Sequence, residues 1–309
     1  MQHFNTSSSN FTILNTKAIA PSVVLGLCSL VGVPGNIAVI MLIVSNYKRE
    51  NFTLKLMLNL AFSDILSLVT LPVWIYTWLY GWTLGLGLCT FVSYMVYCGL
   101  YSSLLTVTLM SVQRYLTVLY PQYWARLCGT GERVLLVTLW GLAGALASPE
   151  IVVRDVLGQE NGQDHCMRNY RSDGQSVAVW LMETLLGFVV PFSILVTSYF
   201  CLHKKVNQTA LFKSQRMTKL VSSIVVTFFI FWIPLHVTNI LGIFAVSLKL
   251  KTLKNISDAA WRIAVALTFI NSCLNPFLYA FASRTLNVQH VQQDAQQSGN
   301  MADVSTRNV

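Results

Sequence analysis

Seven apolar stretches, near residues 19–45, 54–80, 86–119, 133–153, 177–202, 218–247 and 258–283, constrain this chain more than any single motif. Each approaches or exceeds the roughly 20 residues that a helix needs to cross the ~30 Å hydrocarbon core of a bilayer. Lipid offers no partner to a free backbone N–H or C=O, so a spanning segment has to close its hydrogen bonds internally. A transmembrane barrel would instead show alternating segments of ~10 residues, and the sequence has none. Composition agrees, with 11% charged residues against about 25% in soluble domains. Soluble enzymes and disordered chains are excluded. The sequence predicts an all-α membrane protein, a seven-transmembrane helix bundle.

Charge sets the expected orientation. With the N-terminus outside and the C-terminus inside, thirteen Lys and Arg residues fall on the inner side and eight on the outer. The inner ones sit in short loops, where the positive-inside bias counts most. The net charge of +9 is therefore read as topology, with no nucleic-acid partner implied. Asn5-Thr-Ser, Asn10-Phe-Thr and Asn255-Ile-Ser fall outside as glycosylation acceptors. The expected organisation is a glycosylated extracellular tail over 1–18, the bundle over 19–283 and a cytoplasmic tail over 284–309. No leader with a basic start and apolar core opens the chain. Cys89 opens the third span and Cys166 lies in the long outer loop between spans four and five. Both face an oxidising space and can pair, pinning that loop over the bundle.

Polar and ionisable groups inside spans are costly, so each is a functional candidate. Asp64 in span two, Asn36 in span one, Ser103 in span three and Asn271, Ser272 and Asn275 in span seven can surround one carboxylate with oxygens. That set suits a small cation such as sodium, or a hydrogen-bonded packing cluster without an ion. Glu183 in the outer half of span five and Arg154 at the end of span four can pair, or divide a polar ligand between them; Arg154 can also snorkel to the interface. Ser93, Tyr97 and Tyr101 repeat on one face of span three, and Trp232, His236 and Asn239 on one face of span six. Hydroxyl, imidazole and amide groups among those rings favour a solvated outer cavity over plain packing. Pro72, Pro191, Pro234 and Pro276 bend their spans and supply hinges.

Gly35-Asn36, Leu60-Ala61-Phe-Ser-Asp64, Trp140, Pro191, Phe231-Trp232-Ile-Pro234 and Asn275-Pro276-Phe-Leu-Tyr279 fall one per span and in order. This set resembles the markers of the rhodopsin-like class of G-protein-coupled receptors over about residues 19–283. Cys89 and Cys166 match that class's disulfide, and Arg114-Tyr115 sits where its Asp-Arg-Tyr triplet ends the third helix. Thr70-Leu-Pro72 resembles the chemoattractant branch. Leu185-Leu-Gly-Phe-Val-Val-Pro191, Phe231 to Asn239 and Tyr101-Ser-Ser-Leu-Leu resemble the leukotriene B4 receptors, as do Arg154 and Glu183 in place. Ser93 and Ser176 depart from that subfamily, which carries a histidine and an arginine there.

The resemblance implies a plasma-membrane receptor, not an enzyme, that binds an extracellular chemoattractant and activates a heterotrimeric G protein of the inhibitory class. No lysine in span seven can hold retinal, and Val96 replaces the aspartate that binds biogenic amines. The expected ligand is leukotriene B4 or a related oxidised fatty acid, drawn by outer cations that include Arg262. Arg154 is then its charge partner, and Tyr101, Glu183 and His236 its hydrogen-bond partners. The outer loop is also acidic (Glu150, Asp155, Glu160, Asp164, Asp173), so a peptide chemoattractant is the alternative. A channel or transporter threaded by Asp64, Ser103 and Asn275 is a distant one; it lacks a repeat between the halves and a second acid in line.

The expected mechanism is allosteric: agonist favours one bundle state, and only its differential affinity shifts the population. Motion near Trp232 and Pro234 swings the inner end of helix six. Tyr199, Arg114 and Tyr279 then rearrange where the G protein enters, and membrane lipid or that partner meets the basic inner loop. An allosteric sodium ion at Asp64 is the one cofactor implied. Gln113 stands where the family usually has an acid that restrains Arg114, and Ser214 where many members offer a second. Arg114 is thus expected to lack both carboxylates, leaving the resting state less favoured.

Overall fold

The computed structural model describes residues 6–45, 52–127, 129–158, 163–206 and 212–277. Among them, six segments are long and apolar enough to cross a membrane: Ile19–Ser45, Phe52–Tyr80, Gly85–Leu119, Thr130–Val153, Asp173–Leu202 and Val225–Ser247. A further helix, α11, runs over 251–277 and completes seven. Its first turns precede the expected start at 258. The outermost side chains are apolar, with Leu30 75%, Val137 73% and Phe200 68% exposed, whereas Asn36, Ser63, Asp64 and Ser103 are buried. Such a surface belongs in hydrocarbon, with the polar groups turned inward to find partners.

Helix α1 (Thr6–Ser45) continues without a break from the segment expected as a tail into the first span. Asn5 lies outside the described residues, as do Tyr279 and 284–309, and nothing is described of the Asn10 side chain. The second span is two helices, α2 (Phe52–Leu68) and α3 (Leu71–Tyr80). Pro72, at the start of α3, has no N–H to give to the turn before it. The Thr70 hydroxyl donates instead to the Ser67 carbonyl at 2.7 Å. The third span, α4 (Gly85–Leu119), is the central column and packs against α2, against α6 (Thr130–Ala147) and against α9 (Val190–Val206). Gly99 permits the α2 contact: a Cβ there would lie 2.3 Å from Ser67 Oγ and 2.9 Å from the Ser63 carbonyl.

Short helix α5 (Pro121–Leu127) follows α4, and the fourth span ends in α7 (Pro149–Val153). The fifth span consists of α8 (Asp173–Thr184), a π-helical turn over Leu185–Val189, and α9. Ser172 caps α8 by accepting from the Gln175 N–H at 3.2 Å. The π turn sits just before Pro191, whose missing N–H shifts the ladder by one residue. The hinge expected there is therefore a register change. Pro234, by contrast, lies inside an unbroken α10 (Phe212–Ser247).

The bundle is not wholly helical. The loop after the fourth span forms an antiparallel hairpin, β1 (Arg154–Gly158) with β2 (Asp164–Arg168), which no alternation in the sequence announced. Cys166 of β2 is disulfide-bonded to Cys89 near the start of α4, with Cα atoms 5.7 Å apart. The Trp82 N–H donates to the Asp164 carbonyl at 2.6 Å, and the Asn169 N–H to the Val153 carbonyl at 2.7 Å. These ties hold the hairpin across one end of the bundle, so the expected pinning of that loop is realised.

Candidate functional site

Beneath the hairpin lies a cavity of about 460 Å³. Trp74 and Trp78 of α3, Tyr97 of α4, Trp180 of α8 and Trp261 and Phe269 of α11 supply its aromatic walls. His165, Met167 and Arg168 of β2 roof it, and Arg154, Asp258 and Arg262 complete its charged lining.

The hairpin register sets Arg154 directly opposite Arg168, two like charges side by side. Glu150, one helical turn before Arg154, resolves the conflict. Its Oε2 accepts from Arg154 Nε at 2.5 Å, and its Oε1 pairs with Arg168 Nη2. Arg168 Nη2 also pairs with Glu183 Oε1, and Nη1 donates to Glu183 Oε2 at 3.4 Å and to the Tyr170 hydroxyl at 3.3 Å. The remaining reach of Glu183 Oε2 accepts from Asn239 Nδ2 at 3.0 Å. Arg168 lies over the Tyr97 ring, 5.0 Å from its centroid, and Arg154 over Trp74 at 5.7 Å. All four ionic side chains are between 2% and 9% exposed. Two guanidinium groups and two carboxylates cancel, which is what makes their burial tolerable. Burial alone would lower the pKa of Arg168, but Glu150 and Glu183 raise it well above the ordinary guanidinium value.

Arg154 and Glu183 therefore do not pair directly, as one of the expected arrangements had it: Glu150 and Arg168 stand between them in one connected network, and Arg168, read from sequence only as one of several outer cations, is its hub. Half of this was visible in the four-residue spacing of Glu150 and Arg154; the other half needs the hairpin. Arg262 is exposed and forms no ion pair among the described residues. His165 beside it is held below the ordinary imidazole range by burial and then by the Arg262 charge, with Asp164 opposing.

Tyr97, Arg154 and Arg262 line the cavity, whereas the other expected ligand residues do not. Ser93 is fully buried behind the disulfide, its Oγ 3.9 Å from Cys166 Sγ. Glu183 is turned onto Arg168, and Asn239 onto Glu183. Tyr101, His236 and Trp232 form a floor below: the Trp232 and His236 rings stack at 5.9 Å, and Phe188 stands 4.7 Å from His236. Gly187 in the π turn lets Tyr101 approach, since a Cβ there would lie 3.2 Å from Tyr101 Cε1. The polar stripes thus build packed aromatic layers as well as a cavity.

Deeper in the bundle, Asp64 accepts from Ser103 Oγ at 3.1 Å and from Asn275 Nδ2 at 2.7 Å. The Oδ1 atoms of Asn275 and Asn271 are buried there without partners, and Asn36 Nδ2 instead donates to the Ser272 carbonyl at 3.0 Å. At the opposite end from the hairpin, Arg114 Nη2 donates to Thr53 Oγ1 at 3.1 Å, and that hydroxyl donates to Gln113 Oε1 at 3.2 Å. Tyr115 packs against Tyr120 with centroids 5.9 Å apart, and Tyr199 is 48% exposed. The Ser214 side chain is outside the described residues. Asn255 is exposed near the start of α11.

The family model for the 7 transmembrane receptor (rhodopsin family) matches residues 35–279, most of the chain. The chain belongs to the rhodopsin family of seven-transmembrane receptors. Members of this family are receptors rather than enzymes, sit in the plasma membrane as multi-pass proteins, and work with a ligand and a G protein. The chain is 29% identical over 273 residues to leukotriene B4 receptor 1 of Homo sapiens, covering 84% of this chain and 76% of the relative. It is 31% identical over 276 residues to the type-1 angiotensin II receptor of Bos taurus, with 85% and 77% covered.

Proposed function

We propose that this receptor binds an anionic amphiphile, a hydroxylated fatty acid of the leukotriene B4 kind, with the hairpin end outside and the G protein received at the Arg114 end. The observation that carries this reading is the cavity itself, with aromatic walls that suit an acyl chain and an exposed Arg262, without an ion pair among the described residues, that suits an acid. The test is G-protein activation in cells expressing the chain, with leukotriene B4 and angiotensin II supplied separately. A saturable response to the lipid and none to the peptide is the expected result. The reverse would establish the peptide reading, which the angiotensin receptor relatives and the acidic Asp258 in the cavity lining favour. Inhibitory-class coupling follows the chemoattractant resemblance, and pertussis toxin is expected to abolish the response.

Asp64 is the proposed seat of an allosteric sodium ion, held with Ser103, Asn271 and Asn275. Its support is chemical: hard cations take oxygen ligands, and a buried carboxylate is bonded to Asn275, whose amide oxygen, like that of Asn271, is buried without a donor among the described residues. The bound cation would supply a counter-charge to Asp64. Agonist affinity is expected to fall when choline chloride is replaced by sodium chloride, and Asp64→Ala should remove that dependence. An unchanged salt response in the variant would leave the cluster as packing.

A further inference from the structure

The receptor's own ions leave no room for a further anion in the buried part of the cavity. Glu150, Arg154, Arg168 and Glu183 balance to zero and are nearly sealed from solvent. A ligand carboxylate inserted among them would give the cluster a net negative charge in a low-dielectric surrounding, a placement that costs several kcal/mol per unpaired ion. It would also have to displace Glu150 from Arg154 or Glu183 from Arg168. Arg262 is different, being exposed, on α11 at the same cavity and free of a carboxylate partner among the described residues.

Two polar atoms of the cavity lining are nonetheless unsatisfied. Arg168 uses both terminal nitrogens, but its Nε is buried with no hydrogen-bond partner, on a side chain only 7% exposed. His165 Nε2, on the same strand, is likewise buried without a partner. A buried donor left unpaired costs on the order of 1–3 kcal/mol, which an oxygen supplied from the cavity would recover. Because the surrounding charges already cancel, the oxygen that fits is neutral: a hydroxyl, ether or carbonyl.

We infer that the ligand lies with its acid on Arg262 at the cavity mouth and its neutral oxygens on Arg168 Nε and His165 Nε2 beneath the hairpin. This rests on the fatty-acid reading and adds the direction of the ligand and the origin of hydroxyl selectivity. Arg154, the charge partner expected from sequence, then positions Glu150 and does not touch the acid.

The test compares binding of leukotriene B4, its carboxamide and the corresponding hydroxyl-free acid to the full receptor in membranes. In the wild type, the carboxamide and the hydroxyl-free acid should each bind about tenfold or more weakly, as loss of a hydrogen bond to a charged group predicts. Arg262→Gln should make acid and carboxamide equal, whereas Arg154→Gln should keep them distinct. Arg168→Lys, which keeps the charge and deletes Nε, should remove most of the hydroxyl preference. His165→Phe, a change in the hairpin that breaks no side-chain hydrogen bond among the described residues, should weaken that preference in a receptor that folds even where Arg168→Lys does not. Loss of acid discrimination in Arg154→Gln but not in Arg262→Gln would overturn the assignment and leave the fatty-acid reading standing. No saturable binding of any of the three to wild type would overturn both.

Discussion

Arg168→Ala is expected to cost the receptor 3–5 kcal/mol of stability, about the penalty for removing one partner of a buried ion pair. The magnitude follows from what remains behind. Glu150 keeps Arg154, but Glu183 keeps only the Asn239 amide, so one buried carboxylate loses its counter-charge. The same change unties β2 from α8, because the Arg168–Glu183 pair is the ionic link between them. Thermal unfolding of purified receptor in detergent, with surface expression alongside, measures the effect. The double change Arg168→Met with Glu183→Gln should regain much of the loss, since it removes the stranded charge as well as its partner. Arg262→Ala, at an exposed cation without an ion pair among the described residues, should leave the melting temperature unchanged. A single Arg168→Ala receptor as stable as wild type would mean that the network contributes no net stability.

The spans were legible because lipid imposes a length and a composition that no packing detail can override. The Cys89–Cys166 bond and the Asp64–Ser103–Asn275 cluster were legible for a related reason: each is a chemical oddity for its surroundings. Arg168 was not. Its importance comes from the hairpin register that brings it beside Arg154, and from Glu183 arriving on another helix, and neither relation has a sequence period. Ser93 failed in the opposite way. The i, i+4, i+8 spacing placed it on the face of Tyr97 and Tyr101, but its hydroxyl is fully buried against Cys166, which lines the cavity where Ser93 does not. Periodicity gives a face, and only tertiary packing decides what covers it. The π turn before Pro191 shows the same limit, since the proline marks a disturbance without saying whether the chain kinks or slips register.

Gln113→Glu is expected to lower ligand-free signalling roughly 5- to 30-fold, the equivalent of about 1–2 kcal/mol in favour of the resting bundle. In the present arrangement Arg114 is held by a neutral relay, through the Thr53 hydroxyl to the Gln113 amide oxygen. Arg114 Nε is buried without a hydrogen-bond partner among the described residues. Gln and Glu have the same shape, so the substitution leaves the relay geometry in place and replaces its terminal acceptor by an anion. A hydroxyl that donates to a carboxylate is polarised toward it and becomes a better acceptor for the guanidinium, and the charges attract across the low-dielectric bundle. Thr53→Val should act in the other direction, breaking both hydrogen bonds and raising basal output. Both variants need comparison with wild type at equal surface expression, without agonist, by nucleotide exchange on the G protein. A response of Thr53→Val without one of Gln113→Glu would assign the restraint to the hydroxyl alone. Equal basal activity in all three would mean that Arg114 is held at rest by packing and not by this relay. Because the relay is neutral on the Gln113 side, a change of that one atom type is sufficient to measure how much of the resting bias it carries.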